Sequence, residues 1–277
     1  MNGTAPITIR ARQGGLGLLL GELWAHRELL YFLVWRELKI RYKQTIVGVA
    51  WAVLQPLGTM VVFTVLFGNF LRVRERIPGI PYAVFVCAGL VLWSYFANAL
   101  SLATECLVGH RDTLTRVYFP RLLLPLSAVI VGLVDFLIAL LVLAGLMVGY
   151  GIAPGWPLLL LPVFVLMAVV SALAVGLWLA ALNALYRDFR YAVGFGIQLL
   201  FYGSPVIYSS GMVPQQFQWV YGLNPMAGVI EGFRWCLLGT TEPPGPVLGV
   251  SAAVVSALLI GGLVFFRRME STVTDVI

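Results

Sequence analysis

Six uninterrupted runs without a charged side chain cover most of this chain: residues 44–71, 77–104, 122–134, 136–186, 191–230 and 243–266. A helix in water needs a polar face, whereas roughly 20 mainly apolar residues at about 1.5 Å rise each are what a helix needs to cross a bilayer. Composition agrees, because 60% of the 277 residues are apolar, 11% are charged and mean hydropathy is +0.94. A soluble domain carries about a quarter charged residues, so a water-soluble fold is excluded. The pattern predicts an all-α integral membrane protein with six transmembrane helices near 49–71, 82–104, 122–149, 158–182, 192–208 and 247–266. The longest run holds two of these spans, because Ala153-Pro154-Gly155-Trp156-Pro157 is a turn cluster that no continuous helix carries.

The basic residues speak to topology. Of the 18 Lys and Arg, fourteen fall in residues 1–47, 105–121, 183–191 and the tail after 266, and four (Arg72, Arg74, Arg76 and Arg234) fall on the opposite side. The positive-inside bias then places both termini in the cytoplasm, in agreement with an even number of spans. Arg72, Arg74 and Arg76 are the local dissent, in the first hairpin. The apolar run 16–20 is too short for the core of a cleavable leader, so the N-terminal segment is expected to stay. A net charge of +6 is too thinly spread for a nucleic-acid surface. Cys87, Cys106 and Cys236 form neither an even disulfide set nor a metal-binding pair, and read as apolar fillers.

Two segments lie outside the simple spans. Residues 1–47 are expected to form a cytoplasmic N-terminal segment ahead of a transmembrane domain at 48–277. Within it, Trp24, Tyr31, Trp35, Leu38 and Tyr42 fall on one helical stripe among charged residues. That is the pattern of an amphipathic helix at headgroup level, or of a cytoplasmic helix packed on the protein's own spans. Residues 209–246 form the largest external loop, yet Val229, Ile230, Phe233, Leu237 and Leu238 recur at helical spacing and predict a short amphipathic helix. With Pro205 and Pro214 ahead of them, short re-entrant helices between spans five and six are expected, an ordered extracytoplasmic cap being the alternative.

Catalytic chemistry is not evident. The only lysines, Lys39 and Lys43, lack the preceding glycines of a phosphate-binding loop, so the chain cannot bind ATP in that way. His26 and His110 belong to no metal-ligand or general-base motif, and no catalytic or metal site is assigned. Asp135 is the sole charge inside the six spans, where an ionised carboxylate costs roughly 3 kcal/mol. It serves either an ion or proton relay, or an interhelical hydrogen bond or a protonated acid at a subunit contact. A secondary transporter would ask for several such groups.

Several stretches carry a resemblance when taken in order. They are residues 51–57 (WAVLQPL), 117–127 (VYFPRLLLPLS), 186–191 (YRDFRY), 204–208 (SPVIY) and 224–226 (NPM), with Glu231-Gly232-Phe233-Arg234 behind. Together they resemble the permease subunits of ABC-type polysaccharide exporters, which move O-antigen, capsule and teichoic-acid chains. The resemblance implies a homodimer with a channel between the copies, driven by two separate cytoplasmic ATPase subunits that bind ATP and Mg, with no cofactor in this chain. It implies a lipid-linked polysaccharide on an undecaprenyl diphosphate carrier, with O-antigen favoured over teichoic acid or capsule, in the bacterial inner membrane. Under it, Arg36, Lys39, Arg41 and Lys43 are candidates for the lipid head group, the alternative being anchorage of the first span to anionic lipid, and Arg111, Asp112 and Arg116 for the ATPase contact, the alternative being a solvated loop whose arginines set topology. Trp93, Tyr95, Phe96, Phe201 and Tyr202 are candidates for a channel surface on which sugar faces slide, although Trp and Tyr also gather at membrane interfaces for the lipid alone.

Overall fold

The computed structural model describes residues 21, 23–43, 46–70, 73, 79–110, 119–186, 188–239 and 243–276, the side chains of 46–52, 69 and 270–276 excepted. Among the described residues every regular element is helical. In chain order the helices are α1 (Arg27–Lys43), α2 (Ile46–Phe63, prolonged by a π-helical stretch Thr64–Phe70), α3 (Tyr82–Gly109), α4 (Leu123–Gly149) and α5 (Leu161–Leu185). There follow α6 (Phe189–Tyr202), α7 (Gln218–Gly222), α8 (Ala227–Leu238) and α9 (Pro246–Val276). Four stretches are long and apolar enough to cross a membrane: Tyr82–Gly109, Leu123–Gly149, Trp156–Leu185 and Pro246–Met269.

The other two expected spans take different forms. The apolar part of α2 described is Val53–Gly68. Helix α6 has 14 residues, about 21 Å of rise, short of the roughly 30 Å of a hydrocarbon core. It stops where Gly203 and Pro205 interrupt the ladder, and the chain proceeds through turns and short 3₁₀ segments to α7 and α8.

Helix α3 is the axis of the bundle. It follows Gly79, which turns at φ +84°, and Pro81, whose φ of −58° suits a helix start. Its side chains are buried from Tyr82 to Leu107 on nearly every face. Helices α4 and α5 pack against it, and α9 packs on α5. Small residues allow the last contact. Trp178 lies over Gly261 and Gly262, and its indole N–H donates to the Leu258 carbonyl at 3.0 Å. Helix α4 ends in a left-handed Gly151 (φ +69°), with Ile152 N–H donating back to Met147 at 2.9 Å, so the expected turn begins just before Ala153.

Helix α8 corrects an expectation. It lies where the apolar spacing placed it, but it is buried on almost all sides rather than amphipathic. Its polar residues face protein: Glu231 accepts from the Ser210 amide at 2.6 Å, and Arg234, counted above with an external loop, is 2% exposed. Around them the backbone of the loop is held by side chains. Asn224 Nδ2 donates to the Gly203 carbonyl at 3.0 Å, and the Ser251 hydroxyl lies 3.2 Å from the Gly228 amide and 3.0 Å from the Asn224 carbonyl.

Replacing Gly262 by Val should separate α5 from α9, because a Cβ there would lie 3.0 Å from the Trp178 indole nitrogen and 3.1 Å from the Ala174 carbonyl. Thermal unfolding in detergent should show a loss of about 1–3 kcal/mol, and Ala at the exposed Gly145, which has no neighbour within 4 Å, should show almost none.

Candidate functional site

The C-terminal end of α1 docks on α3 and α4 through one carboxylate. Asp135, midway along α4 and 16% exposed at its side chain, lies 2.9 Å from the Arg41 guanidinium. Asn98 Nδ2 of α3 donates to the same carboxylate at 3.1 Å, and the Tyr42 hydroxyl donates to its other oxygen. Burial above all, then the hydrogen bond to Asp135 and that group's charge, pushes the Tyr42 phenol up to about 12. Tyr42 therefore remains a donor at physiological pH. One turn earlier, Glu37 lies 3.0 Å from His110 Nε2 and 3.4 Å from the Arg36 guanidinium. Asp135 is thus an interhelical anchor within one protomer.

This divides the four basic candidates of α1. Arg36 and Arg41 lie against carboxylates, whereas Lys39 and Lys43 are exposed and line a groove of about 450 Å³ with Trp35, Leu38, Tyr42 and Val134. The groove is apolar apart from the two ammonium groups and the phenol. Trp24, ahead of α1, and Tyr31 and Trp35 on it are exposed, the last two with ring centroids 6.4 Å apart, while Leu33 is buried. One side of α1 is therefore seated on the bundle, and the aromatic side is open.

The five aromatic candidates separate as well. Trp93 and Phe96 are buried with ring centroids 5.5 Å apart, and Trp93 meets Phe201 at 5.6 Å. Tyr95 is buried on another side of α3, against Phe136. Tyr202, at 60% exposure, presents its ring openly, next to a half-buried Phe201. Trp93, Tyr95 and Phe96 are therefore packed within the chain, behind the open ring of Tyr202 and the half-buried Phe201. Tyr191, Phe195 and Leu199 share the open side of α6 with Tyr202; their spacing of about four residues was available in the sequence and was not used. Arg111, Asp112 and Arg116 lie outside the described residues. Among the described residues no cluster of His, Cys, Asp and Glu could hold a metal ion.

Residues 28–238 match the ABC-2 type transporter family. The chain belongs to this family. It is 32% identical to the O-antigen export system permease protein RfbA of Myxococcus xanthus, over 91% of this chain and 96% of the relative. RfbA of Klebsiella pneumoniae is 30% identical over 75% of this chain and 79% of the relative. The polysialic acid transport protein KpsM of Escherichia coli is 22% identical over 85% of this chain and 91% of the relative. As an ABC-2 permease the chain is a transport subunit of a multi-pass membrane protein family, which accords with its apolar helices.

Asp135→Ala should leave Tyr42, Asn98 and Arg41 around a missing acceptor and cost about 3 kcal/mol, with Asp135→Asn costing less because its amide oxygen still accepts from Tyr42. Thermal unfolding measures this. A disulfide between Lys39→Cys and Val134→Cys, across the groove, should form more slowly in the Asp135→Ala background. Unchanged melting and unchanged crosslinking would remove the anchoring role.

Proposed function

We propose that this ABC-2 permease is the transmembrane subunit of an ATP-driven exporter of lipid-linked polysaccharide, of the O-antigen kind on undecaprenyl diphosphate, in the bacterial cytoplasmic membrane. The observation that carries the reading is the groove beside α1. Lys39 and Lys43 stand at the lip of an apolar trough, an arrangement suited to an amphiphile with an anionic phosphate head and a hydrocarbon tail. The printed names of the relatives, O-antigen export permease and polysialic acid transport protein, supply the polymer class.

In this reading two copies of the chain enclose the path and two separate ATPases bind ATP and Mg. Arg111, Asp112 and Arg116 touch those ATPases. Six spans are completed by α2 and by α6, the latter together with a re-entrant segment through α7 and α8. Two observations support that re-entrant path: α6 is too short to cross alone, and the broken backbone after it is satisfied by protein groups, as non-helical chain at membrane depth must be. Both termini are cytoplasmic, with 1–47 as the N-terminal segment and 48–277 as the transmembrane domain. Arg36 and Arg41 set the position of α1 and share the diphosphate's neighbourhood, while Lys39 and Lys43 meet the head group directly. Tyr202 and Phe201 face the sugar, with Trp93, Tyr95 and Phe96 behind them.

The decisive test is reconstitution with the partner ATPase in liposomes that contain the lipid-linked glycan. Lys39→Gln with Lys43→Gln should raise the glycan concentration needed for half-maximal ATPase stimulation about tenfold, leaving basal hydrolysis unchanged; an unaltered dose response would show that the lysines serve only the bilayer. Topology is checked with an impermeant thiol reagent on intact cells, using the exposed Gln216→Cys and the tail position Thr274→Cys in a background lacking Cys87, Cys106 and Cys236. Gln216→Cys should react and Thr274→Cys should not, and the reverse would invert the orientation.

A further inference from the structure

Residues 203–208 leave the helical ladder, yet every backbone carbonyl among them has a donor. Gly203 accepts from Asn224 Nδ2 at 3.0 Å, Ser204 from the Val206 amide at 2.7 Å and Ile207 from the Tyr82 hydroxyl at 2.9 Å. Pro205, Val206 and Tyr208 all accept from one guanidinium, that of Arg234. Its Nε–H donates to the Phe85 carbonyl of α3 at 3.1 Å, and the group lies 3.7 Å above the Phe85 ring. Arg234 therefore ties three elements together: α8, which carries it, α3, and the turn.

The fit is specific for arginine. A guanidinium presents five donors in a planar fork, whereas an ammonium is a point charge with three. Room for the fork is made on α3 by Gly89, where a Cβ would run into Arg234 Nη2 and approach the Val206 carbonyl to 3.0 Å. Glu231, one turn earlier on α8, bonds the Ser210 amide, so it steadies the far end of the same segment. The open side of α6, formed by Tyr191, Phe195, Leu199 and Tyr202, runs toward this turn and ends at it.

We propose that Arg234 is a positioning residue that pins the turn at 203–208 as the outer ion seal of the export path. The seal rests on the proposed function, since it needs a path along α6; the pin rests on the hydrogen bonds alone. A wide path for a polymer must be closed to small ions between transport cycles. A backbone turn locked by one buried cation suits that task, because the fixed positive charge also repels cations in a low-dielectric wall.

The test uses the full-length chain in liposomes without ATP. Arg234→Gln and Arg234→Lys should each raise passive potassium flux at least tenfold, and amide hydrogen exchange over residues 203–210 should quicken by a similar factor. Gly89→Ala, which disturbs the same contact from α3 and keeps the arginine, should do the same to a smaller degree. It serves where the Arg234 variants fold poorly. Gly176→Ala, which crowds Ala103 at the α3–α5 contact away from the turn, should leave both readouts at the wild-type level. Unchanged exchange in the Arg234 and Gly89 variants would overturn the pin; quickened exchange with wild-type flux would overturn the seal. Failure of the proposed polysaccharide export would show separately, as wild-type protein with its ATPase moving no lipid-linked glycan, whatever the exchange rates.

Discussion

Away from water, each polar group of a protein must find its partner in the protein, and two charged side chains satisfy this requirement at opposite parts of the bundle. Asp135 is an acceptor that gathers the Arg41, Tyr42 and Asn98 donors, and Arg234 is a donor that gathers four carbonyls from the turn after α6 and from α3. Each fastens a segment that would not otherwise stay in place. Helix α1 is too polar to join the bundle by apolar contact alone, and residues 203–208 have no ladder of their own. Removing either charge would leave several polar groups unsatisfied at once, which is why these two positions outweigh the many apolar contacts around them.

Helix α3 is the element on which both fastenings meet. Its C-terminal half supplies Asn98 to the Asp135 cluster, and His110, just past its end, meets Glu37 of α1. Its N-terminal half supplies the Phe85 carbonyl, the Tyr82 hydroxyl and the space at Gly89 to the turn. From Phe85 to Asn98 is thirteen residues of continuous helix, about 20 Å. It is buried along that whole length and hence stiff. A displacement of α1 that carries Asn98 with it must be felt at the turn unless α3 bends. That contiguity is a physical route between the Asp135 cluster and the turn at 203–208.

What the sequence disclosed and what it concealed divide along a physical line. Length and charge-free runs located α3, α4, α5 and α9, because crossing a bilayer is a one-dimensional requirement that a single chain displays openly. The spacing of Val229, Ile230, Phe233, Leu237 and Leu238 likewise found α8, but the same periodicity suggested a wet opposite side. The sign of the error was visible in Gly228 and Gly232, where a Cβ would strike Leu248 and Phe164, since small residues on the supposedly open side mean close neighbours. Asp135 stood out as a lone charge, while its partner did not. Glu37 and Arg41 stand four apart on α1, a spacing at which side chains of one helix can meet; instead Glu37 turns to His110 and Arg41 to Asp135, contacts that bridge 73 and 94 positions of sequence. Aromatic character similarly marked Trp93, Tyr95 and Phe96 without saying that they face inward. Apolar and aromatic side chains satisfy lipid, core and sugar alike, so only packing tells these apart.

The basic residues of α1 show how the same charge is used in two ways within two turns of helix. An arginine keeps its charge when partly buried, so Arg41 lies in the contact that seats the helix on Asp135, and Arg36 lies beside Glu37, which meets His110. A lysine is a hydrated point charge on a flexible stem, poorly suited to such a buried contact but free to follow a mobile anion while its methylenes cover an apolar wall. Lys39 and Lys43, four apart, point to one side of α1 beside Trp35, Leu38 and Val134. Exchanging the types between these positions would therefore not be conservative. Lysine at position 41 would give up the guanidinium contact with Asp135, and arginine at 39 or 43 would put a planar fork where the groove now holds a point charge. Among the described residues, Glu37 is met by Arg36 and His110 and Asp135 by Arg41, Tyr42 and Asn98, while the two ammonium groups stand along the groove.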